Sequence, residues 1–213
     1  MLSVNEEPDS TVNSTKTPAD TSEAPRQGRR LPPGQVLTDK WPVLHYGSVP
    51  KVDLGTWDFR VFGLVEREQR WTWDAFQSLP RVQVRSDIHC VTRWSRYDNL
   101  WEGVAVKEVL REAGVSPRAA FVIEHAEQGY TTNLPLSELL KDDAVLALKH
   151  DGKELAPEHG WPLRLVVPGR YFWKSAKWIR ALELVADDRP GFWETNGYSN
   201  AADPWKEERY SYW

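Results

Sequence analysis

The chain of 213 residues holds one thiol, Cys90. It closes the segment Asp87-Ile88-His89-Cys90-Val91-Thr92-Arg93-Trp94. His89 and Arg93 stand close by in sequence, and positive or proton-accepting neighbours favour a thiolate. A thiolate serves either as a nucleophile or as a ligand for a soft metal. The nucleophile reading needs a base, and His45, His89, His125, His150 and His159 are the candidates. Residue types and spacing do not choose between the two chemistries. A single cysteine excludes an internal disulfide framework, and it excludes all-cysteine zinc or iron–sulfur sites held by this chain alone.

A second constellation runs from His159-Gly160-Trp161-Pro162-Leu163-Arg164 through Lys174-Ser175-Ala176-Lys177-Trp178. Arg164, Arg170, Lys174 and Lys177 gather there with Ser175 near Pro/Gly turns. Arginine offers a bidentate fork and lysine a point charge, the ingredients of a phosphate-type anion site. A solvated basic loop is the plainer alternative. The interleaved Tyr171, Phe172, Trp173 and Trp178 weigh against it, because such rings favour burial.

The elements that must position these groups read as α+β. Trp57, Phe59 and Val61 alternate with polar neighbours, which is strand periodicity. Thr72 can cap a short helix through Gln77, ended by Pro80. Val82 to Arg85 alternates again and leads to Cys90. Val106, Val109, Leu110 and Ala113 keep helical spacing, and Gly114 can stop that helix. Phe121 to Ile123 predicts a strand, and Leu136 to Leu140 a short helix. Ala144 to Leu155 predicts a hairpin turning at Asp151-Gly152. Leu163 to Val167 and Trp178 to Val185 predict two further strands. Strands dominate without the regular alternation of a doubly wound sheet. His150, beside the hairpin turn, reads as a surface residue. The last stretch, from Pro190 to Trp213, carries seven aromatics without periodicity and is expected to lie across the domain and fill grooves. Docking of a partner is its alternative reading.

Residues 1–30 are rich in Ser, Thr, Pro and Glu, and no aromatic precedes Trp41. Such a tail cannot bury enough apolar surface to offset its ordering entropy and is expected to be disordered, leaving residues 31–213 as one domain. Arg29-Arg30 is followed by Leu31-Pro32-Pro33-Gly34, not by the apolar stretch of an export signal. A cytoplasmic protein is the expectation. Net charge is −4, from 27 basic and 31 acidic residues, without the basic excess of a nucleic-acid binder. No apolar run approaches the roughly 18 residues of a membrane span.

From about Leu31 onward the chain resembles the molybdopterin-binding domain of the sulfite oxidase family, in particular its short cytosolic bacterial members. The anchors are Asp87-Ile88-His89-Cys90 with Trp94-Ser95, then Trp101-Glu102-Gly103-Val104 and Gly129-Tyr130-Thr131-Thr132-Asn133-Leu134-Pro135-Leu136. Asp151-Gly152-Lys153-Glu154-Leu155 and the segment from His159 to Trp178 follow in the same order. The resemblance implies a sulfite-oxidase-type fold of mixed sheets and short helices. It implies one molybdenum–molybdopterin per chain, with Cys90 as metal ligand beside the dithiolene sulfurs. It implies cofactor contacts from Leu44, His45, His125, His159, Arg164, Ser175, Ala176 and Lys177. On the substrate side stand Arg93 to attract an oxyanion, Tyr130 to donate a hydrogen bond and Trp101 to wall the pocket.

The activity implied is oxygen-atom transfer to or from a small substrate, a sulfite-like anion or an S- or N-oxide. Family members that oxidise sulfite carry an arginine two positions before the histidine of the N-terminal loop. Here that position is Val43, so a cation is lost and a less charged S- or N-oxide is equally allowed. With no haem domain or iron–sulfur cluster expected in this chain, electrons would pass through a separate flavin or haem protein. Two readings compete: a hydrolase or thiol peroxidase using Cys90 as nucleophile, and a non-catalytic aromatic-rich binding module.

Overall fold

Alternating burial sorts the chain into two β-sheets in the computed structural model, which describes residues 30–211. The strands are β1 (Val36–Leu37), β2 (Asp58–Gly63), β3 (Gln69–Thr72), β4 (Val82–His89), β5 (Trp94–Ala105) and β6 (Phe121–Ala126). They continue as β7 (Thr131–Pro135), β8 (Val145–His150), β9 (Lys153–Glu154), β10 (Arg164–Val166) and β11 (Ile179–Val185). Four short helices intervene: α1 (Trp73–Gln77), α2 (Val106–Ala113), α3 (Leu136–Leu139) and α4 (Phe192–Thr195). One sheet runs β1-β5-β8-β10, with β4 paired to β5 and β9 to β8; the other runs β3-β2-β11-β6-β7. Only the β1–β5 and β2–β11 pairings are parallel among the described strands. The architecture is α+β with mixed sheets, as expected. The expected disordered tail lies outside the described residues except for Arg30, as do Tyr212 and Trp213.

Local chemistry accounts for the expected elements. Phe59 and Val61 are fully buried while Arg60 between them is exposed. The Thr72 hydroxyl accepts from the Ala75 N–H at the start of α1. Gly114 takes φ +69° at the end of α2. Asp151 (φ 48°) and Gly152 (φ 77°) form the two-residue turn joining β8 to β9, the left-handed pair that matches strand twist.

β5 and β7 are not expected from periodicity, and the reason is physical. Their buried positions include Ser95, Asn99, Thr132 and Asn133. These polar groups are satisfied internally, as when Asn99 Nδ2 donates to the Ser86 carbonyl at 3.1 Å. The six-stranded sheet buries both faces. Leu146 and Leu165 enter the main core between the sheets. Their neighbours Val145, Ala147 and Val166 enter a second cluster with Trp101, against which Trp41 and Phe172 pack. That second cluster supports the site described below.

The C-terminal stretch packs against the domain: Tyr198 bridges to Tyr210, and Arg209 is 4% exposed. No helix among the described residues is long and apolar enough to cross a membrane.

β5 crosses β8 at Gly103, where a Cβ would stand 2.0 Å from the Leu146 carbonyl oxygen and 2.8 Å from Ala147 Cα. Both atoms are backbone and cannot step aside. Gly103→Ala is therefore expected to lower unfolding free energy by about 3 kcal/mol or more, read from urea denaturation. A change within about 0.5 kcal/mol would contradict this packing.

Candidate functional site

Cys90 follows directly on β4 and begins the turn into β5, with its N–H donating to the Trp94 carbonyl at 2.9 Å. The side chain is half-buried, and its sulfur lies 3.1 Å from Thr92 Oγ1. Burial pushes the thiol pKa up, while Thr92, Arg209 and Lys177 pull it down. The sulfur opens on a cavity of about 310 Å3. Arg164, Ser175, Ala176, Lys177, Tyr130, Leu44 and His45 line the same cavity. Segments far apart in sequence thus converge on one space.

Arg164 begins β10 and is fully buried. Nη1 donates to the His159 carbonyl at 2.9 Å and Nη2 to the Ser175 carbonyl at 3.1 Å. The guanidinium carbon sits 4.1 Å from the Phe172 ring centroid and 5.6 Å from that of Trp41. No carboxylate is within ion-pair distance of it among the described residues. Burial lowers its pKa to about 9, which leaves it charged at neutral pH. Lys177 donates to the carbonyls of Leu44 (2.8 Å) and Glu158 (2.7 Å), tying the N-terminal loop to the cavity wall. Burial and the nearby Arg164 charge lower its pKa to about 7. Gly160 is needed where the 157–159 turn passes this pair. At φ +114°, a Cβ there would meet Arg164 Cβ at 3.0 Å and Lys177 Cα at 3.3 Å.

The intervening segment is fixed from behind. Ser175 Oγ accepts from the Val167 N–H at 3.0 Å, and the Ala176 N–H donates to Glu124 Oε2 at 3.0 Å. Glu124 is fully buried, and desolvation pushes its carboxyl well above the usual range. Beside it, Lys174 Nζ pairs with Glu194 Oε1 at 2.7 Å, both side chains inaccessible. Tyr130 donates its hydroxyl to the Trp173 carbonyl at 2.8 Å. Burial, then the Glu194 and Glu124 charges, keep the phenol protonated.

Four expected site residues fall outside the lining. Arg93 takes φ 74° and lies on the Gly34 side of its turn, where a Gly34 Cβ would approach its Nη1 at 3.1 Å. His125 faces Glu183 on the second sheet, 2.8 Å away. Trp101 is fully buried behind the wall, its indole N–H donating to Ser86 Oγ at 3.0 Å. His159 stacks on Trp41, which does line the cavity, at 3.8 Å and 10° between planes. His150 is no surface residue: its side chain is 12% exposed and packs between Trp41 and Trp101. Trp41, Phe172, Trp173, Trp178, Trp193 and Tyr198 form an aromatic wall to the cavity. The rings interleaved with the basic segment and the aromatic C-terminal stretch were its signals in the sequence, while Trp41 had none.

A thiol and two cations without ion-pair partners among the described residues, on one ring-lined cavity, are suited to a flat, anionic group with a soft, sulfur-accepting end. Comparison with known proteins agrees. The description "Oxidoreductase molybdopterin binding domain" matches residues 46–193. The chain is 46% identical over 187 residues to the uncharacterized oxidoreductase YuiH of Bacillus subtilis, covering 87% of this chain and 94% of that one. It is 30% identical over 178 residues to the putative protein-methionine-sulfoxide reductase subunit YedZ1 of Azospira oryzae, covering 82% of this chain and 68% of that one. The sulfane dehydrogenase SoxCD of Paracoccus pantotrophus shares the fold, with TM-score 0.62 at 23% identity over 67% of this chain and 41% of that one. The chain belongs to the molybdopterin-binding oxidoreductases of sulfite oxidase-like type.

The residues present fit that cofactor. Arg164 is a buried cation compensated in direct contact by carbonyls alone, which suits a phosphate. His159 Nδ1 is buried without a partner among the described residues. Cys90 supplies the soft donor that molybdenum takes.

Burial holds the pKa values of His150 and His159 at about 4, below their usual 6.5. The unfolded chain therefore takes up their protons first as pH falls, and these two rings cost stability below about pH 6.5. Glu124, with its raised pKa, acts in the opposite sense, so the comparison must be between chains. Between pH 6.5 and 5 the denaturation midpoint of the parent is expected to change more unfavourably than that of the doubly substituted His150→Gln, His159→Gln chain. Identical pH profiles for the two chains would contradict these environments.

Proposed function

We propose that this protein is a molybdenum–molybdopterin enzyme that transfers an oxygen atom, acting as a reductase of S- or N-oxides. The observation that carries the reading is the single cavity shared by Cys90, Arg164 and Lys177. Cys90 binds the metal through sulfur. Arg164, Lys177 and Ser175 hold the phosphate end, and the Ala176 backbone, pinned by Glu124, keeps that segment in place. Leu44 and His45 close the cofactor from the N-terminal loop, where His45 Nδ1 donates to the Gly47 carbonyl at 3.1 Å. When bound, the cofactor supplies two-electron redox chemistry coupled to movement of an oxygen atom.

The chain's own residues bind, orient and exclude water. The indole and phenyl rings of the wall give the cavity a largely apolar lining, which strengthens each charged contact inside it. Tyr130 offers a neutral phenol that can turn from the Trp173 carbonyl toward a substrate oxygen. Arg93, His125 and Trp101 lie outside the cavity lining, and no direct part is proposed for them.

Two considerations favour an uncharged oxide over sulfite. Val43 stands where a substrate-binding arginine would be, and the cavity cations already face the phosphate end. The relative from Azospira oryzae carries a name that points to protein methionine sulfoxide. Reduction of an S-oxide consumes two electrons and two protons and releases the sulfide and water. The electrons come from a separate flavin or haem protein, and the cytoplasm is the proposed compartment.

Two measurements check this. Protein made in a molybdenum-replete host should contain stoichiometric molybdenum, lost or spectroscopically altered in Cys90→Ser, with turnover reduced at least about 100-fold. Steady-state kinetics with an artificial electron donor or acceptor should favour methionine sulfoxide over sulfite by about tenfold or more in kcat/KM. Efficient sulfite oxidation would overturn the substrate assignment. A fully active metal-free protein that loses activity on thiol alkylation would favour the cysteine-nucleophile reading.

A further inference from the structure

The Cys90 turn closes with two backbone bonds, Cys90 N–H to the Trp94 carbonyl at 2.9 Å and Arg93 N–H to the Cys90 carbonyl at 3.1 Å. Arg93 takes its left-handed conformation to complete it. Neither bond engages the Val91 carbonyl at the tip, and a half-buried carbonyl needs a donor. That donor comes from 118 positions downstream: Arg209 Nη1 donates to Val91 O at 2.6 Å. A second clamp comes from the other end of the chain, where Gln35 Nε2 donates to the Cys90 carbonyl at 3.1 Å. Both side chains lie outside the residues 46–193 matched by the family description.

Arg209 is built in. It is 4% exposed, its guanidinium carbon lies 4.9 Å from the Tyr171 ring centroid, and Tyr171 itself is fully buried. Its carboxylate partner, Glu207, is half exposed and stands 3.6 Å away. That exposed carboxylate neutralises it only weakly, which leaves its field free to act on what lies near. The positive charges of Arg209 and Lys177 both lie near enough to act on Cys90.

We infer that Arg209 is a positioning residue for Cys90: it clamps the turn that presents the sulfur and brings its positive charge to that turn. The C-terminal segment thereby becomes part of the redox centre. Removing the charge makes the sulfur a stronger donor to the metal, and removing the clamp loosens its presentation. The inference rests on Cys90 being the metal ligand, as proposed above.

The test uses the full chain from a molybdenum-replete host and three variants. Arg209→Lys keeps the charge, Arg209→Gln keeps a donor without the charge, and Arg209→Met keeps neither. Amide hydrogen exchange reads the clamp, and electron paramagnetic resonance of the bound molybdenum reads the field. In Arg209→Met, exchange across residues 90–93 should rise about tenfold with the rest of the chain unchanged, and metal retention should fall about 10- to 100-fold. Arg209→Gln should shift the resonance spectrum, and Arg209→Lys should restore it toward the parent. A parental spectrum in Arg209→Gln, or unchanged exchange at the turn in Arg209→Met, overturns the inference. So does exchange that rises evenly through the chain, which marks a merely structural arginine. A parent chain without molybdenum overturns the proposed function and the electronic half of the inference; the exchange arm still decides the clamp.

Discussion

A guanidinium buried without a carboxylate in contact is the constraint around which this molecule is arranged. Desolvating a cation costs on the order of several kcal/mol even after the protein relaxes, and Arg164 is fully buried. Carbonyls of His159 and Ser175 and the face of Phe172 recover part of that cost. Glu124 lies near enough to act on Arg164, but burial drives its own carboxyl toward the neutral form. The surplus charge is therefore local and positive, which suits an anion on the cavity side. Lys177 adds to that surplus; burial first, and then the Arg164 charge, lower its pKa to about 7.

The surrounding elements follow from holding this charge dry and in place. Two carbonyl acceptors for Arg164 lie in loops, at His159 and Ser175, so those loops must be rigid. The Gly160 conformation and the Ser175 and Ala176 bonds make them so. Behind the wall, Lys174 and Glu194 form a buried ion pair at 2.7 Å, with Thr132 and the Trp173 indole N–H also bonded to Glu194. This polar layer joins β7, α4 and the 172–174 turn, and so carries the C-terminal stretch into the cavity wall through Trp193 and Tyr198.

Much of this was legible in the residues. Apolar alternation marked β2, the start of β4, β8 and β11, and the cap at Thr72 and stop at Gly114 marked α1 and α2. The polar core of β5 and β7 hid them, because their buried Ser, Thr and Asn positions read as surface until partners distant in sequence are known. The segment 159–178, which supplies much of the cavity lining, was readable because cations and rings alternate along it. Arg93 and His125 lie outside the cavity lining for a different reason. Proximity to Cys90 in sequence says nothing about which side of a turn a left-handed residue occupies, and strand register alone decided that His125 faces Glu183. The stacked His159 and the packed His150 show the same limit, since only tertiary contacts distinguish a ring under Trp41 from one in solvent. The Arg209 contact spans 118 positions and leaves no local trace.

The account stands on sulfur from Cys90 reaching molybdenum in that cavity. X-ray absorption at the molybdenum edge reads this most directly, on the full chain and on Cys90→Ser. The account predicts a protein-derived sulfur neighbour in the parent in addition to those of the pterin, replaced by a lighter scatterer in the variant. An identical sulfur shell in both proteins, or molybdenum without a protein sulfur in the parent, would contradict it.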